Sequence, residues 1–124
     1  MSVGSSYVII CIECIKGNRM RQAIKDIIVF ESNKEVIEIS QLQVTQFCGN
    51  VLEVGGVDDR MLVMSSTAYN NFSAEQRVRL TEQHGLKLVH APAGNIETLL
   101  GGGVRCMIAE LFTPATCLNV DNVM

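Results

Sequence analysis

The residue best suited to chemistry is Cys106, in the stretch LLGGGVRCMIAEL from Leu99 to Leu111. The three glycines ahead of it, Gly101 to Gly103, let backbone approach a ligand closely and leave N–H groups free to donate. A cysteine directly after such a turn, at the end of a strand, sits where α/β sheets gather nucleophiles and ligands. Gly102 and Gly103 are then the backbone edge of a binding site. Arg105, a further substrate-binding candidate, is a cation beside the thiol that would help lower its pKa, although successive residues on a strand face opposite ways. Burial as a small apolar residue is the commoner fate of a cysteine, so the residues alone leave both readings of Cys106 open.

A thiolate nucleophile needs an acid or base partner, and the chain has two histidines. His84 falls at the end of a long helix, where a cation suits the helix dipole, and reads as decoration of that end. His90, in LVHAP, closes a strand and could reach a sheet-end site, but nothing in its spacing ties it to Cys106. Asn50, in QFCGN, holds in the first half of the chain the place that GGGVRC holds in the second, and its amide could bond a planar polar group or simply stop a helix. Cys11 and Cys14 form C-x-x-C inside YVIICIECI. A strand there puts the two side chains on opposite faces, which argues against a metal or redox pair. No metal ligand set and no cofactor is expected.

Bulk properties narrow the function classes. The chain has 124 residues, a net charge of −3, 48% hydrophobic and 19% charged residues, with a mean hydropathy of +0.24 and a pI near 5.3. That is one modest domain with somewhat more apolar surface than solvent requires. Scattered Arg19, Arg21 and Lys25 make no basic patch, so nucleic acid is not an expected partner. No apolar run approaches the roughly 18 residues of a membrane span, and the start lacks a basic n-region and a cleavage site. The five cysteines have no disulfide-framework spacing, which together with the plain start leads us to expect a cytoplasmic protein.

The elements that must position Cys106 come in two rounds. YVIICIECI (7–15) reads as a strand. NRMRQAIKDIIVF reads as an amphipathic helix capped by Asn18, with Met20, Ala23, Ile24, Ile27 and Ile28 facing the sheet. KEVIEIS is a short strand, Ser40-x-x-Gln43 a capping box opening a brief helix, and NVLEV a further strand before Gly55-Gly56. Asp58-Asp59 is then a solvated turn. RMLVMSS, the helix SAEQRVRLTEQHG with its Ser73-x-x-Gln76 box, LKLVHAP, the brief helix GNIETLL and the closing strand VRCMIAELF repeat the order at offsets of roughly 52 to 55 residues. The expected units are about 7–56 and 60–112, with a tail over 113–124.

The segments IEISQLQVTQFCGNVLEVGG, LVMSSTAYNNFSAEQ, LVHAP and GGGVRCMIAELF together resemble the C-terminal part of the amidinotransferase and arginine-deiminase superfamily, in particular its citrulline-hydrolysing branch. The likeness runs from near residue 1 to about Pro114. It implies the pentein fold, an α/β propeller of five ββαβ repeats with helices outside, of which about two are carried by this chain as a partial propeller. It implies that Cys106 attacks the central carbon of a guanidino or ureido compound of the arginine, citrulline or agmatine type, through a covalent S-linked intermediate. It further implies that Asn50 lines the same channel. The family's histidine and acidic residues belong to repeats that precede the matching segment. The resemblance thus implies a hydrolase or amidinotransferase segment inactive alone, completed by other repeats or by a second copy. The alternative is a non-catalytic homologue acting as an oligomerising or interaction module.

Overall fold

The computed structural model describes residues 1–55 and 59–110. It contains two three-stranded sheets of one design. In the first, β1 (Ser2–Val3) runs antiparallel to β2 (Tyr7–Ile10), which pairs in parallel with β3 (Glu35–Glu38). In the second, β4 (Leu52–Gly55) runs antiparallel to β5 (Arg60–Ser65), which pairs in parallel with β6 (Lys87–Ala91). Each parallel pair is joined by a helical crossover, as parallel strands require. These are α1 (Asn18–Asp26) in one unit, and α3 (Ser66–Asn71) with α4 (Ala74–Val78) in the other. A short helix follows each parallel pair, α2 (Gln41–Thr45) and α5 (Gly94–Leu100). The α/β class and ββαβ units implied by the pentein resemblance are therefore present.

The duplication extends to the backbone of each crossover. Both α1 and α4 end in a wide π turn, Ile27–Glu31 and Arg79–Gln83. Lys34 N donates to Ile28 O in the first, and Leu86 N donates to Leu80 O in the second, about 52 residues on. Between these bonds each copy turns through one left-handed residue, Asn33 at φ 50° and Gly85 at φ 66°. Asparagine and glycine are the residues that visit this region most readily.

Strand alternation separates two cores. Tyr7 and Ile9 point into the larger one, with Ile37, Leu62, Met64, Phe72 and Leu80 from both units. Val8 and Ile10 point the other way, into a smaller cluster with Ile12 and Ile28. The larger cluster joins the units, and polar side chains complete the joint. Both capping boxes form, Ser40 with Gln43 and Ser73 with Gln76. Their glutamines also meet: Gln43 Nε2 donates to Gln76 Oε1 at 2.7 Å, and Gln76 Nε2 donates to the Glu38 carbonyl at 2.6 Å.

Four local expectations are corrected. The first strand stops at Ile10, and Ile12–Cys14 is a 3-10 turn. Arg21 holds that turn, Nε donating to Ile15 O at 2.7 Å and Nη2 to Glu13 O at 3.0 Å, so its carbonyls need no neighbouring strand. Gly17 at φ 85°, not Asn18, caps α1, and Asn18 is already helical. Only Ile24 and Ile28 of the expected apolar face pack inward, while Met20, Ala23 and Ile27 are exposed. The closing strand is replaced by a 3-10 turn, Val104–Met107, and residues 108–110 carry no regular structure. Gly56, Asp58, Leu111, Cys117 and the tail 113–124 lie outside the described residues.

Candidate active site around Cys106

The turn that bears Cys106 is built from both ends. Upstream, α5 ends on Gly101, whose left-handed φ of 67° stops the helix. Downstream, Cys106 N donates to Gly103 O at 3.1 Å, closing the 3-10 turn that presents the thiol. Arg105 braces it from behind. Its Nη1 donates to the Val51 carbonyl at 3.1 Å and to Ser2 Oγ at 3.2 Å, and Ser2 Oγ in turn donates to Val51 O at 2.7 Å. These bonds tie the turn that bears Cys106 to β1 and to the residue just before β4.

Facing the turn is the segment Phe47 to Asn50. Phe47 sits at φ 63° after α2, and Asn50 N donates to Phe47 O at 2.8 Å, closing a tight loop at Asn50. Asn50 Nδ2 then donates to Cys106 Sγ at 3.0 Å. Close packing around this bond requires glycine. A Cβ on Gly103 would lie 2.6 Å from Asn50 Oδ1 and 3.2 Å from Phe47 Cδ1, whereas one on Gly102 would meet Cys106 Cβ and Sγ at 3.3 and 3.5 Å.

The electrostatics favour the thiolate. The Asn50 amide, with the Gly103 backbone N–H, holds the exposed Cys106 thiol below the ordinary pKa, and the Arg105 charge adds to the effect. The contrast with Cys48 is instructive. Cys48 is fully buried, donates to Ala68 O at 3.5 Å, and burial pushes its thiol up to about 12. The same residue type is inert in one loop and poised in the other.

The remaining candidates lie elsewhere. His84 is buried, with Nδ1 2.9 Å from Ser6 Oγ and its ring 5.0 Å from that of Tyr7. Its Nε2 is 2.9 Å from Glu35 Oε2, an ion-pair distance without hydrogen-bond alignment. His90 is exposed at the end of β6, stacked on Tyr69 at 4.1 Å with Nδ1 3.0 Å from Ser66 Oγ. Neither histidine is bonded to Cys106. Two residues near or behind the turn carried no signal in the sequence. Ser2 acts only through its three-dimensional contact with Arg105. Glu97 is a buried acid of α5 whose Oε2 accepts from Thr67 Oγ1 at 2.7 Å, while its Oε1 has no partner among the described residues. Among the described residues no helix is long and apolar enough to cross a membrane.

The structure thus sets an exposed, hydrogen-bonded thiol between two loops that occupy matching places in duplicated units. Neither a curated protein nor a solved structure matches the chain. A family model described as N,N dimethylarginine dimethylhydrolase, eukaryotic, matches residues 1–113, most of its length. The chain therefore belongs to the dimethylarginine dimethylhydrolase family, a family of guanidino-group hydrolases.

Proposed function

We propose that Cys106 is the nucleophile of a hydrolase acting on N-methylated arginine, the substrate class that the family's name points to. The supporting observation is the 3.0 Å hydrogen bond from Asn50 Nδ2 to Cys106 Sγ, which favours the thiolate in an exposed position. In the first step Sγ bonds to the central guanidino carbon, and the bond from that carbon to the methylated nitrogen breaks as a proton passes to the leaving amine. Water then bonds to the same carbon and the carbon–sulfur bond breaks, leaving a ureido product and a free thiol.

The leaving amine needs a proton donor. His84 and His90 are engaged away from the thiol, so that donor comes from a further segment or a second copy of the chain. Leu99 and Leu100 support this: they are 81% and 79% exposed immediately before the glycine turn. Apolar side chains in that position are suited to being covered by the surface that brings the acid. The resemblance of the Cys106 and Asn50 segments to the citrulline-hydrolysing branch keeps citrulline, arginine and agmatine as competing substrates.

The purified chain is offered dimethylarginine, arginine, citrulline and agmatine separately, with amine and ammonia release measured, and is labelled in parallel with a haloacetamidine. Dimethylamine release from N,N-dimethylarginine, lost in Cys106→Ser, and faster labelling of Cys106 than of free cysteine are expected. Labelling no faster than free cysteine, with no turnover at any concentration of chain, rejects the nucleophile. The same exposed leucines favour a second reading, a non-catalytic oligomerising module. That reading requires association unchanged in Cys106→Ser and no turnover of any of the four compounds.

A further inference from the structure

The turn Ile12–Cys14 brings together two thiols that a continuous strand would hold apart. Cys14 Sγ donates to Cys11 Sγ at 3.0 Å. Cys11 is the residue that enters the 3-10 turn and Cys14 the last within it, so they are stacked one turn apart. Side chains three residues apart in a 3-10 turn eclipse one another, with a rise of about 6 Å per turn. That places their Cα atoms within the window of about 4.4–6.8 Å that a disulfide requires. The sulfurs need approach by only about a further 1 Å to reach bonding distance.

The turn is also fixed in advance. Ile12 is anchored in the smaller core, Ile15 N donates to Ile12 O at 3.0 Å, and Arg21 grips the carbonyls of Glu13 and Ile15. Little chain entropy remains to be lost on closing the pair, which gives the two sulfurs a high effective concentration for one another. Their exposures differ in a useful way. Cys14 is open to solvent, while Cys11 is buried. Beside them a shallow hollow is lined by Ile12, Glu13, Asn18, Arg21, Lys25 and Glu38, among others, with Lys25 and Glu38 paired at 3.0 Å.

We propose that Cys11 and Cys14 form a thiol–disulfide exchange site for a small peptide-like disulfide bearing amino and carboxylate groups, separate from Cys106. The exposed Cys14 thiolate attacks one sulfur of the disulfide, forming a mixed disulfide and releasing one small thiol. Cys11 then attacks Cys14 Sγ, forming the Cys11–Cys14 bond and releasing the second small thiol. The protein loses two electrons and two protons, and the small disulfide is reduced to two thiols. The hydrogen bond to Cys11 holds Cys14 above the ordinary thiol pKa, so its thiolate fraction sets the pace of the first step.

Oxidised glutathione is the probe. The full chain carrying Cys106→Ser, which removes the other exposed thiol among the described residues, is incubated with it, alkylated and digested with trypsin. Met1 to Lys16 is a single tryptic peptide containing both cysteines. That peptide is expected two hydrogen masses lighter and without alkylation. Adding Cys11→Ser should instead accumulate a stable glutathione adduct on Cys14, because the resolving thiol is gone. A stable adduct, or two alkylated cysteines, on the peptide from the parent chain overturns the proposal. If Cys11→Ser does not fold, the parent peptide alone decides.

Discussion

At Cys106 one amide and one glycine set the reactivity of the thiol. Asn50→Ala removes the hydrogen bond that contributes most to lowering its pKa. The thiolate is the species that alkylates, so the midpoint of the rate against pH is expected below that of an ordinary thiol. In the variant that midpoint rises, and the rate at neutral pH falls several-fold while the rate well above both midpoints is preserved. Stopped-flow alkylation of Cys106 across pH measures this, and an unchanged midpoint would remove Asn50 from the site. Gly103→Ala acts on the same bond sterically. Its Cβ falls 2.6 Å from Asn50 Oδ1, so Asn50 must move away from the thiol. We expect a stability loss of about 1–3 kcal/mol, typical of overpacking, together with slow alkylation resembling that of Asn50→Ala. Gly102→Ala meets only the Cys106 side chain and should cost less in chemical denaturation.

At the scale of elements, the two capping boxes connect local and long-range order. Ser40→Ala and Ser73→Ala each remove a bond to an N3 amide and should cost about 0.5–2 kcal/mol. Gln43 and Gln76 do more than cap, since they bond to each other across the two units. A double-mutant cycle on the two glutamines should therefore show coupling of about 0.5–3 kcal/mol in denaturation, and additivity would place the joint elsewhere. The Arg79–Glu35 pair offers a pH test of that joint. Partial burial alone would raise the Glu35 pKa, but Arg79 and the nearby His84 outweigh it and lower the carboxyl below its usual range. The pair's contribution is thus complete above the usual carboxylate pKa of about 4.3 and disappears as the pH falls through the lowered value. Glu35→Gln should weaken the protein at neutral pH and make little difference at the acid end.

These elements also mark how far the sequence could be read. Ser-x-x-Gln followed by apolar residues specifies its own geometry within four residues, so both boxes were legible, as was the recurrence of strand and helix. Asn50 was legible because duplication gave it a counterpart in the glycine turn. The turns at 12–14 and 104–107 were not, because β-branched and apolar runs favour a strand, and the side-chain hydrogen bonds that hold each turn show only in three dimensions. In one case the donor is Arg21, in the other Arg105, bonded to Val51 O. Reading Cys11 and Cys14 as lying on opposite faces followed from the same missed turn.

For the whole molecule, the question is what covers the apolar side chains beside Cys106. Leu99 and Leu100 are about four-fifths exposed at the end of α5, and Met107 is 52% exposed directly after Cys106. All three flank the glycine turn and Cys106 in sequence, and exposed apolar side chains beside a site make a surface suited to coverage by a partner. If this surface receives the proton donor from a second copy, association and turnover must depend on it together. Leu99→Lys with Leu100→Lys places two charges there without touching Asn50, Gly103 or the core. In analytical ultracentrifugation the parent chain should sediment as a concentration-dependent oligomer and the double variant closer to a monomer. Turnover of dimethylarginine should fall with it, while alkylation of Cys106 keeps its pH midpoint because the Asn50 hydrogen bond is intact. Loss of association with full turnover would show that the donor does not arrive through this face. A parent chain that is monomeric at every concentration would leave a further segment, rather than a second copy, as the source of the acid.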